Sequence, residues 1–381
     1  MVTRWLEVDP EIKVVASYAN GAVAVRQILD TQPDVLLLDI EMPEMDGMTA
    51  LPLLLKAQPD LKIIMSSTLT RRNAEISLRA LSMGAVDYIA KPESRYANSD
   101  DFKNELIQKI KVLAALRKAR PARAPASGPA PALAPPRSYP SASPAPAGGA
   151  PLSPRPAPRP AAGATTPGPM TSGSIWGKQQ IVLRAPSRAR PAILAIGSST
   201  GGPQALFKLL ATLSPDLNLP VVITQHMPAT FTAILAEHIQ NATKRACKEA
   251  VSGEPLVSGQ IYVAPGDYHM TIVAEGSNRV LRLNQEPPEN FCRPAVDPMF
   301  RSIAKIYGNA ALAVILTGMG TDGREGGRVL VDAGGTPVCQ DEASSVVWGM
   351  PGAAATAGLA AAVVSLDQMP ATISRFIKGG M

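Results

Sequence analysis

The fold class this sequence predicts is two α/β domains, each a doubly wound parallel sheet, and three observations predict it. Short apolar runs alternate with stretches of helical periodicity over residues 12–116, and the alternation returns on a larger scale over residues 192–364. Between them, the stretch from Pro121 to Met170 holds 16 of the 37 prolines, which neither helix nor sheet can propagate through. Short apolar runs mark strands buried on both faces. Strand–helix alternation puts helices on both sides of such a sheet.

In the N-terminal half, Ile12–Val15, Val35–Leu38, Lys62–Met65 and Val86–Ile89 read as strands. Gly21–Asp30 reads as a helix with Ala22, Val25 and Leu29 on one face. Ala74, Leu78 and Leu81 form a second stripe, and Phe102, Leu106, Ile110 and Leu113 a third, behind the candidate cap Asp100. In the C-terminal half the expected strands are Ala192–Ile196, Val221–Thr224, Ile261–Ala264, Ala313–Leu316, Pro337–Cys339 and Ala361–Val364. Leu206, Leu209, Leu210 and Leu213 form a helical stripe after Pro203, a residue suited to a first helical turn. Met299, Ile303 and Ile306 form another. The domain boundaries that follow are 1–118, a Pro/Ala-rich disordered linker at 119–190, and 191–381.

Charge and composition exclude several classes. The net charge of +6 comes from residues 121–190, which carry eight Lys or Arg and no acid, so the folded parts are slightly acidic and nucleic acid is not an expected partner. Three scattered cysteines, Cys247, Cys292 and Cys339, have no metal-ligand spacing and fit a reducing compartment. With no apolar run near the ~20 residues a membrane span needs and no secretory pattern, the cytoplasm is the expected location, without direct membrane insertion.

In Asp34-Val-Leu-Leu-Leu-Asp39 an apolar strand ends at an acid, and a Pro/Gly loop follows to Gly47. Ser67 and Lys91 follow two neighbouring strands, so an acid, a hydroxyl and a lysine converge on one crevice at the carboxyl ends of a parallel sheet. From Ile12 to Leu116 this resembles the receiver domain of two-component response regulators, a flavodoxin-like fold. The resemblance implies that Asp39 accepts a phosphoryl group and that Ser67 and Lys91 contact it. Receivers begin with a strand ending in two acids that hold Mg²⁺ with the acceptor. Here Met1–Glu7 resembles part of the helix that follows that strand, so the first strand is missing. One carboxylate alone is a poor Mg²⁺ site. The expectations are therefore an internal start codon in a longer native protein, a poorly folded receiver that cannot be phosphorylated, and elevated, unregulated activity downstream.

The second domain opens with a strand running into Gly197-Ser198-Ser199-Thr200-Gly201-Gly202-Pro203. Such a turn suits a phosphate cradle at a helix N-terminus. It equally suits a nucleophilic serine with helix N–H groups nearby. A serine nucleophile needs a base and a group that orients the base. His226 follows the next strand, His269 is the runner-up, and His238 lies within a helical run. Asp322, in Thr317-Gly318-Met319-Gly320-Thr321-Asp322-Gly323, is a candidate orienting acid, with Asp267 and Asp341 as competitors.

Five motifs occur in order: Ile-Gly-Ser-Ser-Thr-Gly-Gly, Thr-Gln-His-Met-Pro, Tyr-Val-Ala-Pro-Gly-Asp, Arg-Pro-Ala-Val-Asp and Ile-Leu-Thr-Gly-Met-Gly-Thr-Asp-Gly. Together they are similar to the catalytic domain of chemotaxis protein-glutamate methylesterases, which also deamidate glutamines, across essentially all of 191–381. The resemblance implies Ser199 as nucleophile rather than Ser198, His226 as base, Asp322 as its orienting acid and Met319 as an oxyanion donor. It implies no metal or cofactor for the hydrolase, and Mg²⁺ only for receiver phosphorylation. The implied substrates are methyl-accepting chemotaxis receptors, the implied phosphoryl donor is a chemotaxis histidine kinase, and an unphosphorylated receiver is expected to cover the hydrolase cleft. A nucleotide-binding module and a non-catalytic signalling adaptor are the competing classes.

Overall fold

A computed structural model describes residues 2–91, 99–119, 181–213 and 217–379. The linker expected through Pro121–Met170, and Trp176 beyond it, lie outside the described residues. At its end Ile181 packs on the C-terminal core, and Arg184 N–H donates to Ala360 O at 2.9 Å, so the chain already runs along the second domain here.

The N-terminal domain comprises α1 (Val2–Leu6), α2 (Gly21–Thr31), β1 (Val35–Asp39), α3 (Gly47–Ala57), β2 (Lys62–Ser67), α4 (Arg71–Ser82), β3 (Asp87–Ala90) and α5 (Ser99–Ala119). Its strands are parallel in the order β1-β2-β3, with Asp39 opposite Ser66 and Ser67 opposite Ala90. Asn20 and Asp46 cap α2 and α3 by accepting from Val23 N–H and Thr49 N–H, which explains where those helices begin.

Three expectations fail in this domain. Ile12–Val15 forms no strand, because the 2-1-3 order needs a strand between it and β1, and none is present among the described residues. The buried face of α2 is Gly21, Ala24 and Ile28, one position off the expected stripe, and Leu29 faces solvent. Nor is the domain loosely packed, against the expectation. Ile63, Ile64 and Met65 are fully buried, and Trp5 of α1 meets Phe102 of α5 edge-on, closing the face over β1 and β2.

The C-terminal domain follows the predicted alternation, with β4 (Ile193–Ser198), α6 (Gly202–Thr212), β5 (Val221–Gln225), α7 (Ala229–Thr243), β6 (Cys247–Glu249) and β7 (Ile261–Val263). A hairpin then interrupts it, β8 (His269–Glu275) and β9 (Asn278–Asn284), before α8 (Val296–Tyr307), β10 (Ala311–Ile315), α9 (Arg324–Asp332), β11 (Thr336–Gln340), α10 (Gly349–Thr356), β12 (Ala362–Val364) and α11 (Met369–Ile377). Seven parallel strands run β12-β11-β10-β4-β5-β7-β6. The antiparallel hairpin and β6 were not expected. From β4 the chain winds outward through β5 on one side and β10 on the other, so the crevice past their carboxyl ends is where an open α/β sheet holds its ligand.

Both domains belong to one compact unit and share apolar surface. Tyr88 of β3 stacks on Phe231 of α7 with ring centroids 4.2 Å apart. Phe231 is fully buried, and truncating it to alanine would cost about 3–5 kcal/mol. Met319, Val346 and Val347 of the C-terminal domain join the N-terminal cluster formed by Ile64, Ile89 and Leu106.

Candidate active site

The strand order brings three turns side by side, those after β4, β5 and β10, and the first and third carry glycines. At the first, Gly201 adopts φ 75° and starts α6, and Pro203 occupies the first turn. Ser198 points inward: its hydroxyl is fully buried and donates to Gln225 Oε1 at 2.7 Å. Ser199 sits half-exposed on the rim, its N–H donating to Thr317 O at 3.1 Å. Gln225 Nε2 donates to Ser199 O and His226 O, tying the two turns together. Gly318 approaches so closely that a Cβ there would lie 2.9 Å from Ser199 Cβ, so this turn needs glycine.

His226 follows β5, and its N–H donates to Ser198 O at 3.2 Å. Its Nε2 lies 2.7 Å from Asp322 Oδ2. Asp322 is almost wholly buried and accepts four further hydrogen bonds, from Val296, Asp297 and Gly323 N–H and from Asn290 Nδ2. Burial opposes its charge, but His226 and these N–H groups outweigh burial and hold its pKa below the usual carboxylate range. The Nε2–H tautomer therefore faces the acid and leaves Nδ1 as the nitrogen available to a serine. In this state Nδ1 lies 3.3 Å from Cys292 Sγ, and among the described residues no hydrogen bond joins Ser199 Oγ to His226.

Three participants escaped the sequence reading: Cys292, Asn290 and Asp297. Asp297 Oδ1 accepts from Gly323 and Gly326 N–H at the start of α9, and its Oδ2 accepts from Asn290. Burial and the neighbouring Asp322 push its carboxyl up to about 6. The motif Arg-Pro-Ala-Val-Asp was visible, but which partner its acid meets was not.

The competing candidates are spent elsewhere. His269 is fully buried; Ala295 N–H donates to its Nδ1, and its Nε2 donates to Pro287 O. Asp267 pairs with Arg293, Asp341 caps the Ser344 turn, and His238 lies half-buried beside Phe207. Met319 N–H has no acceptor among the described residues.

Burial favours the neutral imidazole of His226. The charge of Cys292, the hydrogen bonds His226 makes with Asp322 and Cys292, and the charge of Asp322 overcome it and push the pKa up to about 10. A histidine so raised is protonated at neutral pH, so if His226 serves as the base, kcat/KM should climb as pH rises toward that value. Cys292→Ala removes one cause and should move the rising limb to lower pH, while a profile coincident with the parent would refute this assignment.

In the N-terminal domain, Lys91 Nζ lies 2.6 Å from Asp39 Oδ2 at the strand ends, as the convergence of strands predicted. Ser67 accepts from Ser77 Oγ at 3.0 Å. No group of three His, Cys, Asp or Glu capable of holding a metal ion occurs among the described residues. Asp39 is bonded to Lys91 and Glu41 N–H, and the nearby Glu41 side chain accepts from Asn73, so these residues do not fit an Mg²⁺ site.

The N-terminal domain lies against the rim that carries Ser199. Thr200 Oγ1 donates to Asp87 Oδ2 at 2.8 Å, Gln204 Nε2 donates to Ala85 O at 2.6 Å, and Arg71 pairs with Glu237. Asp87 is itself held by Lys109 at 3.0 Å, with both side chains nearly buried.

Residues 194–373 match the family model described as CheB methylesterase, and residues 1–98 match that of the response regulator receiver domain. The chain is 51% identical to the protein-glutamate methylesterase/protein-glutamine glutaminase 1 of Paramagnetospirillum magneticum, over 97% of this chain and 90% of that one. It is also 51% identical to the corresponding group 2 operon protein of Bradyrhizobium diazoefficiens, over 100% of this chain and 91% of that one. Among solved structures, the Thermotoga maritima CheB methylesterase catalytic domain is 36% identical with a TM-score of 0.48, covering 50% of this chain and 99% of that one.

Proposed function

Because this chain belongs to the protein-glutamate methylesterase/protein-glutamine glutaminase family, we propose that Ser199, His226 and Asp322 form its catalytic relay and that its substrates are glutamyl γ-methyl esters and selected glutamines on methyl-accepting chemotaxis receptors. One observation carries the reading: a buried acid orients His226 at the strand end adjoining the turn of Ser199.

In the reaction, Ser199 Oγ displaces Cys292 from His226 Nδ1 and passes its proton there as it attacks the γ-carbonyl carbon. The imidazolium, held by Asp322, returns that proton to the departing methoxide or amide nitrogen, releasing methanol or ammonia. Water, deprotonated by the same nitrogen, then hydrolyses the acyl-enzyme. The unpartnered N–H of Met319 is suited to the developing oxyanion, a contact whose loss commonly costs about 3–4 kcal/mol in the transition state. A serine-directed fluorophosphonate should label Ser199 stoichiometrically in the parent chain and slowly in His226→Ala. Label found on Ser198 would overturn the assignment.

The receiver supplies regulation. Asp39 occupies the position of the family's phosphoryl acceptor, for which a chemotaxis histidine kinase is the donor, but its surroundings do not fit Mg²⁺, so the restraint is read from docking; the cytoplasm is the compartment. Docked through Asp87, Tyr88 and Ala85 beside the nucleophile turn, the receiver restrains the hydrolase. Tyr88→Ala removes a stacked pair worth about 0.5–1.5 kcal/mol and should raise methanol release severalfold. An unchanged rate would mean that docking does not restrain activity.

A further inference from the structure

Phe291 stands wholly in solvent, at 103% relative exposure, next to the catalytic histidine and acid. It occupies the tip of a four-residue turn, Glu289-Asn290-Phe291-Cys292, closed by backbone hydrogen bonds in both directions between Glu289 and Cys292 at 3.1 and 2.9 Å. Both central residues are left-handed, Asn290 at φ 52° and Phe291 at φ 62°. Asparagine tolerates that region, whereas an aromatic side chain is strained there.

The turn is braced on every other side. Asn290 Nδ2 donates to Asp297 and to Asp322, Cys292 Sγ lies against His226, and Glu289 is paired with Arg301. The catalytic acid and base thus hold the backbone that presents Phe291, and burial contributes nothing to keeping the ring in place. The receiver seals the opposite rim through Thr200, Met319 and Val347 and leaves this ring uncovered. A strained, fully exposed aromatic residue anchored to a catalytic pair is an arrangement that folding alone does not favour.

Resting on the ester-hydrolase reading above, we propose that Phe291 is a substrate-docking residue: its ring inserts against an apolar side chain that neighbours the target glutamyl group on the substrate polypeptide and so registers the ester over Ser199. The occupant is a polypeptide rather than a small molecule. The ring is a single convex projection, which suits packing against a surface, whereas a small ligand needs a concave pocket.

The test compares Phe291→Ala and Phe291→Gly in the full chain on two substrates: a methylated receptor fragment, and p-nitrophenyl acetate, which has no polypeptide to dock. Both variants should lower kcat/KM on the receptor fragment about tenfold or more, mainly through KM, and leave p-nitrophenyl acetate hydrolysis within twofold of the parent. Phe291→Gly relieves the left-handed strain and should raise Tm, which separates docking from a folding defect. Unchanged kcat/KM on the receptor fragment, or equal losses on both substrates, overturns the proposal. Failure of the ester-hydrolase reading itself registers separately, as p-nitrophenyl acetate hydrolysis that survives Ser199→Ala.

Discussion

Ser199→Ala should abolish methanol release from methylated receptor, a loss on the order of 10⁴-fold or more, with circular dichroism and Tm essentially those of the parent. The reasoning is local. Ser199 Oγ makes no hydrogen bond among the described residues, so its removal strands no buried partner. Ser198→Ala is the informative contrast. It deletes a buried donor to Gln225 Oε1, a loss of about 1–3 kcal/mol of stability, yet leaves the nucleophile in place. The pair of variants should therefore separate cleanly, one losing turnover and the other losing stability. Turnover retained in Ser199→Ala and lost in Ser198→Ala would reverse the assignment of the nucleophile.

Asp322→Asn should lower kcat by roughly 10³–10⁴-fold. An amide has one acceptor oxygen, whereas the carboxylate accepts from His226, Asn290 and three backbone N–H groups. If the amide nitrogen faces His226, the imidazole must accept at Nε2 and carry its proton on Nδ1, where Ser199 then finds no base. If it faces the backbone N–H groups instead, donors meet donors in a buried site and stability falls. Asp297 beside it is relieved of a like charge in either case, so its carboxyl should move down from about 6. Single-turnover methanol release, with thermal unfolding as control, measures both effects. A loss below tenfold in kcat would show that His226 is oriented by something else.

Much of this fold was legible because parallel α/β architecture writes itself in local pattern. The runs at Val221–Thr224 and Pro337–Cys339 are apolar because both sheet faces are covered, and the stripe Leu206, Leu209, Leu210 is buried as its spacing requires. The proposed relay was only partly legible: Ser199 and His226 directly follow strands, but the pattern left Asp267 and Asp341 beside Asp322, and the family resemblance chose among them. What the sequence hid is what depends on distant partners. Ile12–Val15 has a strand's composition but no neighbour to pair with among the described residues. The β8–β9 hairpin carried a signal that went unused, buried Met270 and Ile272 at alternate positions and Gly276-Ser277 between the strands. Cys292 and Asn290 gave no local sign, because their importance lies in which side chains stand opposite them across the chain.

The place of Met319 has a thermodynamic corollary. Its side chain packs, partly buried, against the receiver's apolar cluster, while its amide is the proposed oxyanion donor. On the proposed function, receiver and receptor are rival ligands for one patch, and only the undocked fraction of enzyme is competent to bind. The apparent dissociation constant for receptor is the intrinsic one divided by the undocked fraction, so activation should register as a falling KM before it registers as a rising kcat. By reciprocity, abundant methylated receptor itself favours the undocked receiver, drawing the enzyme toward activity where its substrate is plentiful.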